Sequence, residues 1–468
     1  MPSEAEIIRL WLARGVDLLK QHISELNTLN VFPVADADTG TNLYLTFESA
    51  QRFELARTGG NNDLLDALSA MAKGALEGAR GNSGVIVAEA LMGAAESFDA
   101  SQYSLSTLLK HAARNARASV SEPQPGTILD VLDDVANMNS DNPRAIAEHA
   151  RRVLLEKRDL LPQLKKAGVV DAGGRGLVIL LDALADVCLG VETQSPPVGY
   201  VPASFPSNEC EADRAFELIF KTSQTDIKAL QVQLQPLGTS ITTTSDTEMT
   251  KVHIHTDAPK VVLECIERDS KVWDINVESL QPAQANVGCV AYATGIGNLM
   301  HLVTLGVTAL SDSDHLITES DLTQAALKSN HASVILVLEP QHQHFAKSAI
   351  AKLREFNVSA DVIVSSSVVS TLAAISVFDA SSDVQKNRES MVAAMTGIES
   401  FLIESSDYQV LNPERLKSAE AITVVWGDSA DIRAKTSLRH YIREHATDSD
   451  FIEIQGDQMN SIAIVGLE

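Results

Sequence analysis

Two carboxylates near the amino terminus, Asp36 and Asp38, lie in a polar segment that directly follows a stretch with the apolar spacing of a helix. The segment reads LNVFPVADADTGTN over residues 29–42. Side chains two positions apart in an extended segment point the same way, and Mg²⁺ is usually bound by one or two carboxylates together with phosphate oxygens. Gly40 allows close backbone approach, and the hydroxyl and amide groups beside it can donate to phosphate. The segment therefore predicts a loop that binds a metal ion and phosphate.

Most of the first 190 residues has helical rather than strand spacing. Ser3 and Glu6 form a capping box at the start of a helix predicted over residues 3–26. Little of this region is typical of a strand, so we predict an all-helical first domain over residues 1–195, a bundle or barrel whose loops carry polar residues. The further helices are predicted over residues 64–75, 85–95, 105–118, 128–136, 145–155 and 177–187.

Three more glycine-rich junctions precede predicted helices of this domain. They read GARGNSG over residues 78–84, PGT over 125–127 and VDAGGRG over 170–176. Backbone amides at a helix N-terminus favour phosphate, and Arg80 adds a positive charge. Each junction alone is typical of an ordinary cap or turn. A magnesium–nucleotide site needs the carboxylates, hydroxyls, amides and cation that the four junctions provide together, so we expect them to converge at one end of the domain.

Composition limits the class of protein. The 62 acidic and 37 basic residues give a net charge of -25, which argues against a surface for nucleic acid or anionic membrane. The N-terminus lacks the pattern of a signal peptide, and no run of about 18 apolar residues predicts a transmembrane segment. The cysteines lack CxxC spacing, which favours a reduced, cytoplasmic setting over a disulfide framework. They are Cys188, Cys210, Cys265 and Cys289.

A chain of 468 residues is long enough for about three domains. A proline-rich stretch over residues 192–208 predicts a linker. After it, β-branched alternation around one helical segment predicts a small α+β middle domain over residues 196–284. Short apolar strands separated by helical segments then predict an α/β domain over 285–468 with one largely parallel sheet. Those strands are expected over residues 287–293, 333–338, 361–365, 421–426 and 461–466.

Residues 1 to about 195 resemble the DhaL-type kinase domain, and most closely the version in the catalytic subunit of fatty acid kinase and its relatives. The resemblance is carried by residues 30–42, 78–84, 126–127 and 171–174. The order of the domains also resembles that family over nearly the whole chain. It implies an all-α DhaL-like helical barrel, a small α+β middle domain and a C-terminal α/β domain. It further implies a cytoplasmic kinase that uses ATP and Mg²⁺.

The resemblance also implies roles for individual residues. Asp36 and Asp38 would act in catalysis by binding a pair of Mg²⁺ ions that bridge the ATP phosphates, and Asn30 would lie at a third ligand position that is neutral here. Where the family reads Pro-Asp-Gly-Asp, this chain has alanine at position 37, which restricts φ. Contacts to ATP are implied for the remaining loop residues, namely Thr39, Gly40, Thr41, Asn42, Arg80, Gly81, Asn82, Ser83, Thr127, Asp171, Gly173 and Gly174.

The middle domain carries a candidate zinc site. His253 and His255 lie two apart on a predicted strand and so share one face. In the resembling proteins, paired histidines and a cysteine of this domain bind zinc, but the nearest cysteine here, Cys210, lies upstream in the predicted linker. Two interpretations of the histidines therefore stay open: zinc ligands together with Cys210, or two solvent-facing strand residues.

The acceptor of the phosphoryl group is less constrained. None of the four junctions contains a histidine, which favours a carboxylate acceptor because it is already ionised at neutral pH and needs no general base. The resemblance implies a fatty acid presented by a lipid carrier of the DegV type, although the segment ALSDSDHL over 309–316 replaces the relatives' GGQTMNPS. Two alternatives stay open: a glycerone kinase of the L type, and a nucleotide-sensing scaffold without turnover. The sequence leaves the oligomeric state open, with a homodimer among the alternatives.

Overall fold

A computed structural model of the chain describes residues 2–33, 37–56, 63–99, 101, 103–202, 214–280, 286–311, 317–329 and 331–468. The chain forms two compact units. The first unit contains Met1–Ala215, Lys221–Asp257 and Asp269–Lys271, and the second contains Phe216–Phe220, Ala258–Arg268 and Val272–Glu468. Within the described ranges, no helix combines the length and apolar character needed to cross a bilayer. The predicted division into three domains at residues 195 and 284 stays a prediction.

The N-terminal part of the first unit is helical, as predicted. The capping box is present, because the Glu6 amide donates to the Ser3 hydroxyl at 3.2 Å and the Ser3 amide donates to the Glu6 carboxylate at 3.4 Å. A short 3-10 turn, Arg158–Leu160, lies between α7 and α8. The helices of this unit are α1 (Glu4–Leu29), α2 (Thr39–Leu55), α3 (Leu64–Gly78), α4 (Gly81–Glu96), α5 (Leu105–Ala118), α6 (Ile128–Asn137), α7 (Pro143–Lys157), α8 (Pro162–Ala167), α9 (Ala172–Leu189) and α10 (Ile227–Leu234).

The glycine-rich junctions differ from the predicted loops, because the structure places most of them inside helices. Helix α2 has no predicted counterpart, and α4 and α9 begin at residues 81 and 172 rather than 85 and 177. Glycine and threonine are poor helix formers, so the apolar pattern alone does not extend the helices through them. Packing requires glycine at these positions: a Cβ on Gly40 would lie 2.5 Å from the Ile23 carbonyl, and one on Gly176 would lie 2.2 Å from Leu43.

The helical core brings α1, α2 and α9 together. The rings of Trp11 and Phe47 meet edge to face with centroids 5.3 Å apart, and the Trp11 indole donates to the Leu180 carbonyl at 2.8 Å. A Cβ on Gly15 would lie 2.4 Å from the Phe47 ring, so the helices pack at close range here. These contacts hold α2 and α9 against α1.

The first half of the predicted linker is anchored to the helices. Thr193 donates from its amide to the buried Asp186 carboxylate at 2.8 Å, and Ser195 donates to Asp182 at 2.7 Å. The fully buried Arg175 guanidinium donates to the Ser195 carbonyl at 2.6 Å. The second half, from residue 203, lies outside the described residues. Residues 193–195 therefore belong to the packed helical structure.

Strands β2 (Thr239–Ser245) and β3 (Thr250–Thr256) also belong to the first unit and pair antiparallel. The Thr243 amide donates to the Ser119 carbonyl at 3.0 Å, which joins β2 to the end of α5. The buried Lys251 ammonium donates to the Glu77 carbonyl at 2.9 Å, which joins β3 to α3. Strand β1 (Phe216–Thr222), which precedes them, contains the boundary between the two units.

The second unit contains two sheets where the sequence predicts one. Part of its first sheet has the order β4-β6-β5-β7-β8, parallel except for the antiparallel pair of β4 and β6. The second sheet, β11-β10-β12-β9, is mixed: β10 and β11 are parallel, and β12 is antiparallel to β10 and β9. The strands are β4 (Val272–Ser279), β5 (Gly288–Tyr292), β6 (Thr308–Ser311), β7 (Ser333–Leu338), β8 (Ser359–Val364), β9 (Glu399–Ile403), β10 (Ala421–Trp426), β11 (Asp450–Gln455) and β12 (Ala463–Leu467).

The five predicted strands of this unit correspond to β5, β7, β8, β10 and β12, which have mostly buried, apolar sequences apart from the more exposed β8. Four strands of this unit, β4, β6, β9 and β11, have no predicted counterpart. Of these, β9 and β11 lie at the two edges of the second sheet and are largely exposed. Charged residues in these two strands interrupt the apolar pattern that is typical of a buried strand. The helices here are α11 (Pro259–Glu267), α12 (Ile296–Thr304), α13 (Glu319–Lys328), α14 (Gln343–Arg354), α15 (Val368–Ser376), α16 (Val384–Met395), α17 (Pro413–Ser418) and α18 (Ile432–His445).

Candidate active site

The first part of the site lies where α1 passes into α2. Asp38 is the N-cap residue of α2, and its side chain makes no capping hydrogen bond. Instead, its carboxylate accepts from the Asn42 side chain at 2.7 Å and from the Asn30 side chain at 3.4 Å. The side-chain oxygen of Asn42 is buried and has no hydrogen-bond partner among the described residues. Two amide groups thus orient Asp38, and a buried acceptor lies beside it.

The prediction that the carboxylates of Asp36 and Asp38 point the same way assumed an extended segment. That assumption does not hold for Asp38. Its backbone angles, φ -119° and ψ -9°, lie in the helical region rather than the extended region. Asp36 lies outside the described residues. Ala37, between them, has φ +57°, in the left-handed region where glycine is favoured. The alanine therefore adopts the region that a glycine would occupy at this position.

Asn27 is a site residue that the sequence did not reveal. Its side-chain oxygen accepts from the Gly40 amide at 2.7 Å and the Thr41 amide at 3.2 Å, and its side-chain nitrogen donates to the Thr41 hydroxyl at 3.2 Å. These are groups that the sequence assigns to phosphate. Thr39 precedes them as the first residue of α2 and is buried. The partner lies 13 residues away on another helix, so spacing along the chain carries no signal of it.

The second part of the site is the start of α4. Arg80 is its N-cap residue, and Gly81 follows with φ +55°. A Cβ on Gly81 would lie 2.4 Å from the Asn42 side-chain nitrogen, so this helix start touches the residue that holds Asp38. Asn82, next in the chain, has a buried side-chain oxygen without a partner among the described residues.

The third and fourth parts are the starts of α6 and α9, which share one cap. A single oxygen of Asp171 accepts from the Gly174 amide of α9 at 2.7 Å and from the Ile128 amide of α6 at 2.8 Å. Burial raises the pKa of Asp171 to about 6, and the two amide donors oppose that rise only in part. Thr127, the N-cap residue of α6, donates its hydroxyl to the Gln124 carbonyl at 2.9 Å.

The four helix starts lie together. A Cβ on Gly173 would lie 3.2 Å from the Ser83 hydroxyl of α4 and 3.4 Å from Ile128 of α6. With the contact between Gly81 and Asn42, this links α2, α4, α6 and α9 in one cluster. Each helix start presents amide dipoles that favour an anion. The buried oxygens of Asn42 and Asn82, in contrast, need a hydrogen-bond donor or a cation.

The predicted zinc residues lie on β3 rather than at these helix starts. The rings of His253 and His255 are in contact, with centroids 5.0 Å apart. Both side chains are buried, so the alternative of two solvent-facing histidines is wrong. The Nδ1 atom of His253 lies 3.2 Å from the Ser240 carbonyl and can donate to it. Cys210 lies outside the described residues, and the zinc set stays a prediction.

Residues 33–186 match the sequence model of the DAK2 domain. Residues 215–287 match that of the middle domain of FakA-like fatty acid kinase proteins. The DAK2 match contains all four helix starts, whereas Asn27 and Asn30 precede it.

The relatives extend this similarity along the chain. Protein YloV of Bacillus subtilis (strain 168) is 26% identical over 439 residues, which cover 82% of this chain and 78% of the relative. An uncharacterized protein of Staphylococcus aureus (strain USA300) is 22% identical over 538 aligned positions, with 96% of both chains covered.

Among solved structures, the dihydroxyacetone kinase of C. freundii matches in two forms. The native form aligns with a TM-score of 0.31 and 19% identity over 39% of this chain and 34% of that kinase. Its complex with AMP-PNP and Mg²⁺ aligns with a TM-score of 0.32 and 20% identity over 40% of this chain and 34% of that kinase. This chain thus spans about a third of that enzyme. On the two domain matches and the relatives, the chain is a kinase that combines a DAK2 domain over residues 33–186 with a FakA-like middle domain over residues 215–287.

Proposed function

We propose that the cluster of four helix starts binds ATP with Mg²⁺ and transfers the γ-phosphoryl group to a small acceptor presented by a partner protein. The observation that carries this proposal is the position of Asp38, held by two asparagines where α2, α4, α6 and α9 meet. Carboxylate and amide oxygens suit Mg²⁺, and helix starts suit phosphate. The proposed metal ligands are Asp38, Asp36 and Asn30, with Asp36 and Asp38 acting in catalysis.

The other residues at the helix starts are proposed to bind the nucleotide. The hydroxyls of Thr39 and Ser83, the amides of Gly81 and Gly173 and the side chains of Asn42 and Asn82 are proposed to contact ATP. The unpartnered oxygens of Asn42 and Asn82 also fit a metal ion or its bound water. The chain carries a net charge of -25, so Mg²⁺ supplies most of the positive charge that phosphoryl transfer needs.

The proposed acceptor is the carboxylate of a fatty acid held by a DegV-type carrier. A carboxylate oxygen attacks the γ-phosphorus, the bond to the β,γ-bridging oxygen breaks, and the products are an acyl phosphate and ADP. This step removes no proton from the acceptor, which agrees with the absence of histidine from the four junctions. The match to the FakA-like middle domain also supports this acceptor.

Calorimetric titration tests the nucleotide site. We expect the wild-type protein to bind ATP when Mg²⁺ is present. Asp38→Ala should weaken that binding about 30-fold or more, because it removes a proposed metal ligand; this loss is about 2 kcal/mol, at roughly 1.4 kcal/mol per tenfold in affinity. Asp226→Ala is a matched control, because Asp226 caps α10 through the Ala229 amide and is exposed. Absence of binding to the wild type, or equal binding by Asp38→Ala, would contradict the proposal.

Trapping the product tests the acceptor. Hydroxylamine converts an acyl phosphate to a hydroxamate, so we expect the hydroxamate only when the protein, MgATP and a fatty-acid-loaded DegV-type carrier are mixed. Phosphorylation of added dihydroxyacetone instead would establish glycerone kinase activity. Binding of MgATP without transfer to any carrier-bound acyl chain would establish a nucleotide sensor. Either result would overturn the fatty acid as acceptor.

A further inference from the structure

Helix α2 is capped by a residue of a different helix. An aspartate at the N-cap position ordinarily accepts from the amide two or three residues later. For α2 the N-cap residue is Asp38, so those amides belong to Gly40 and Thr41. Both of them donate to Asn27 of α1 instead, at 2.7 Å and 3.2 Å. Asn27 therefore already makes the capping hydrogen bonds that Asp38 would otherwise make.

The contact between α1 and α2 holds Asn27 in register with those amides. Gly40 leaves no room for a side chain, since its Cβ would lie 2.5 Å from the Ile23 carbonyl and 2.9 Å from Leu26. The Asn27 amide group also donates to the Thr41 hydroxyl, which fixes the direction of its oxygen. One planar amide thus makes three hydrogen bonds to the first turn of α2.

We propose that Asn27 is a positioning residue for the metal ligand Asp38. Because Asn27 caps α2 from α1, the Asp38 carboxylate stays hydrogen-bonded to Asn30 and Asn42 and does not turn to the amides of Gly40 and Thr41. The inference deepens the proposed function and rests on it for the role of Asp38 as a Mg²⁺ ligand. Without Asn27, two amides at the start of α2 lose their acceptor, and the nearest carboxylate along the chain is that of Asp38. An aspartate that caps its own helix turns away from the asparagines that now orient it.

Substitutions at Asn27 separate this role from simple capping. Asn27→Asp keeps an oxygen that accepts from both amides, whereas Asn27→Ala removes it. Asn142→Ala is the matched control, because the Asn142 side chain also accepts from two amides, those of Arg144 and Ala145, at the start of α7. We expect Asn27→Ala to raise the Mg²⁺ concentration needed for half-maximal ATP binding about tenfold. Asn27→Asp and Asn142→Ala should stay within about threefold of the wild type.

A second measurement does not need nucleotide. If Asp38 takes over the cap when Asn27 is removed, the loss of stability caused by Asn27→Ala in urea will be larger in an Asp38→Ala background than in the wild type. Equal losses in both backgrounds, or equal Mg²⁺ dependence of Asn27→Ala and the wild type, would overturn the positioning role. If the wild type binds no MgATP, the proposed function fails, while the urea experiment still decides whether Asn27 and Asp38 compete for the cap.

Discussion

Asp171→Ala is expected to lower the free energy of unfolding by about 2–6 kcal/mol, because it leaves two buried amides without an acceptor and each such amide costs about 1–3 kcal/mol. One oxygen of Asp171 accepts from the amides of Ile128 and Gly174, so the substitution removes the cap of α6 and of α9 together. Urea unfolding at pH 7 measures the difference.

Asp171→Asn is the matched control, since its side-chain oxygen can accept from both amides without a buried charge. We expect its stability at pH 7 to be equal to or above that of the wild type. Burial raises the pKa of Asp171 from 3.8 to about 6, so the carboxyl contributes stability below pH 4 that is lost as the pH rises through 6. Asp171→Asn should lack that loss. A cost below about 1 kcal/mol for Asp171→Ala would show that Asp171 does not serve as a double cap.

Glu89→Gln is expected to stabilise the protein at pH 8.5 by about 3–4 kcal/mol, since burial raises the pKa of Glu89 from 4.5 to about 7 and each unit of pKa change corresponds to about 1.4 kcal/mol. Glu89 is buried on α4, where its carboxylate accepts from the Ser245 amide of β2 at 3.0 Å. Burial raises its pKa from 4.5 to about 7, opposed by the Thr244 hydroxyl and the Ser245 amide, and the charge of Glu96 adds to the rise. Glutamine keeps the acceptor oxygen and removes the charge that burial disfavours.

The sign follows from the raised pKa. Neutral Glu89 contributes stability that is complete below the unfolded-state pKa of about 4.5 and is lost as the pH rises through about 7. Wild-type stability should therefore fall between pH 5.5 and 8.5, and that of Glu89→Gln should fall less. Chemical unfolding at the two pH values measures this. Glu148→Gln, at an exposed position of α7, controls for the loss of a surface charge; an equal pH dependence in Glu89→Gln and wild type would contradict the prediction.

Local pattern was sufficient for much of the architecture. The capping box of Ser3 and Glu6 marked the start of α1, and helical spacing located α3 and α5 to within a few residues. Buried apolar strands such as β7 and β10 were predicted at their observed bounds. These elements have patterns that neighbouring residues along the chain establish by themselves.

The rest depended on residues that meet only after folding. Helix α2 was missed because its first turn is rich in threonine and glycine, and Gly40 is needed there only because α1 packs against it. Strands β9 and β11 were missed because exposed edge strands carry charged residues. Loops and the first turns of helices were also hard to distinguish, because glycine occurs in both.

The residue types needed for a magnesium–nucleotide site can be read from the chain alone: spaced carboxylates, hydroxyls, asparagines and glycines at four junctions, in the pattern of the DhaL-type kinases. Which of those groups face one another was decided by tertiary structure. The Asn27 side chain accepts hydrogen bonds from the amides of Gly40 and Thr41, and Asp171 caps two helices at once. The physical reason is that a hydrogen bond requires its donor and acceptor about 3 Å apart, and for residues far apart in sequence only the packing of helices sets that distance.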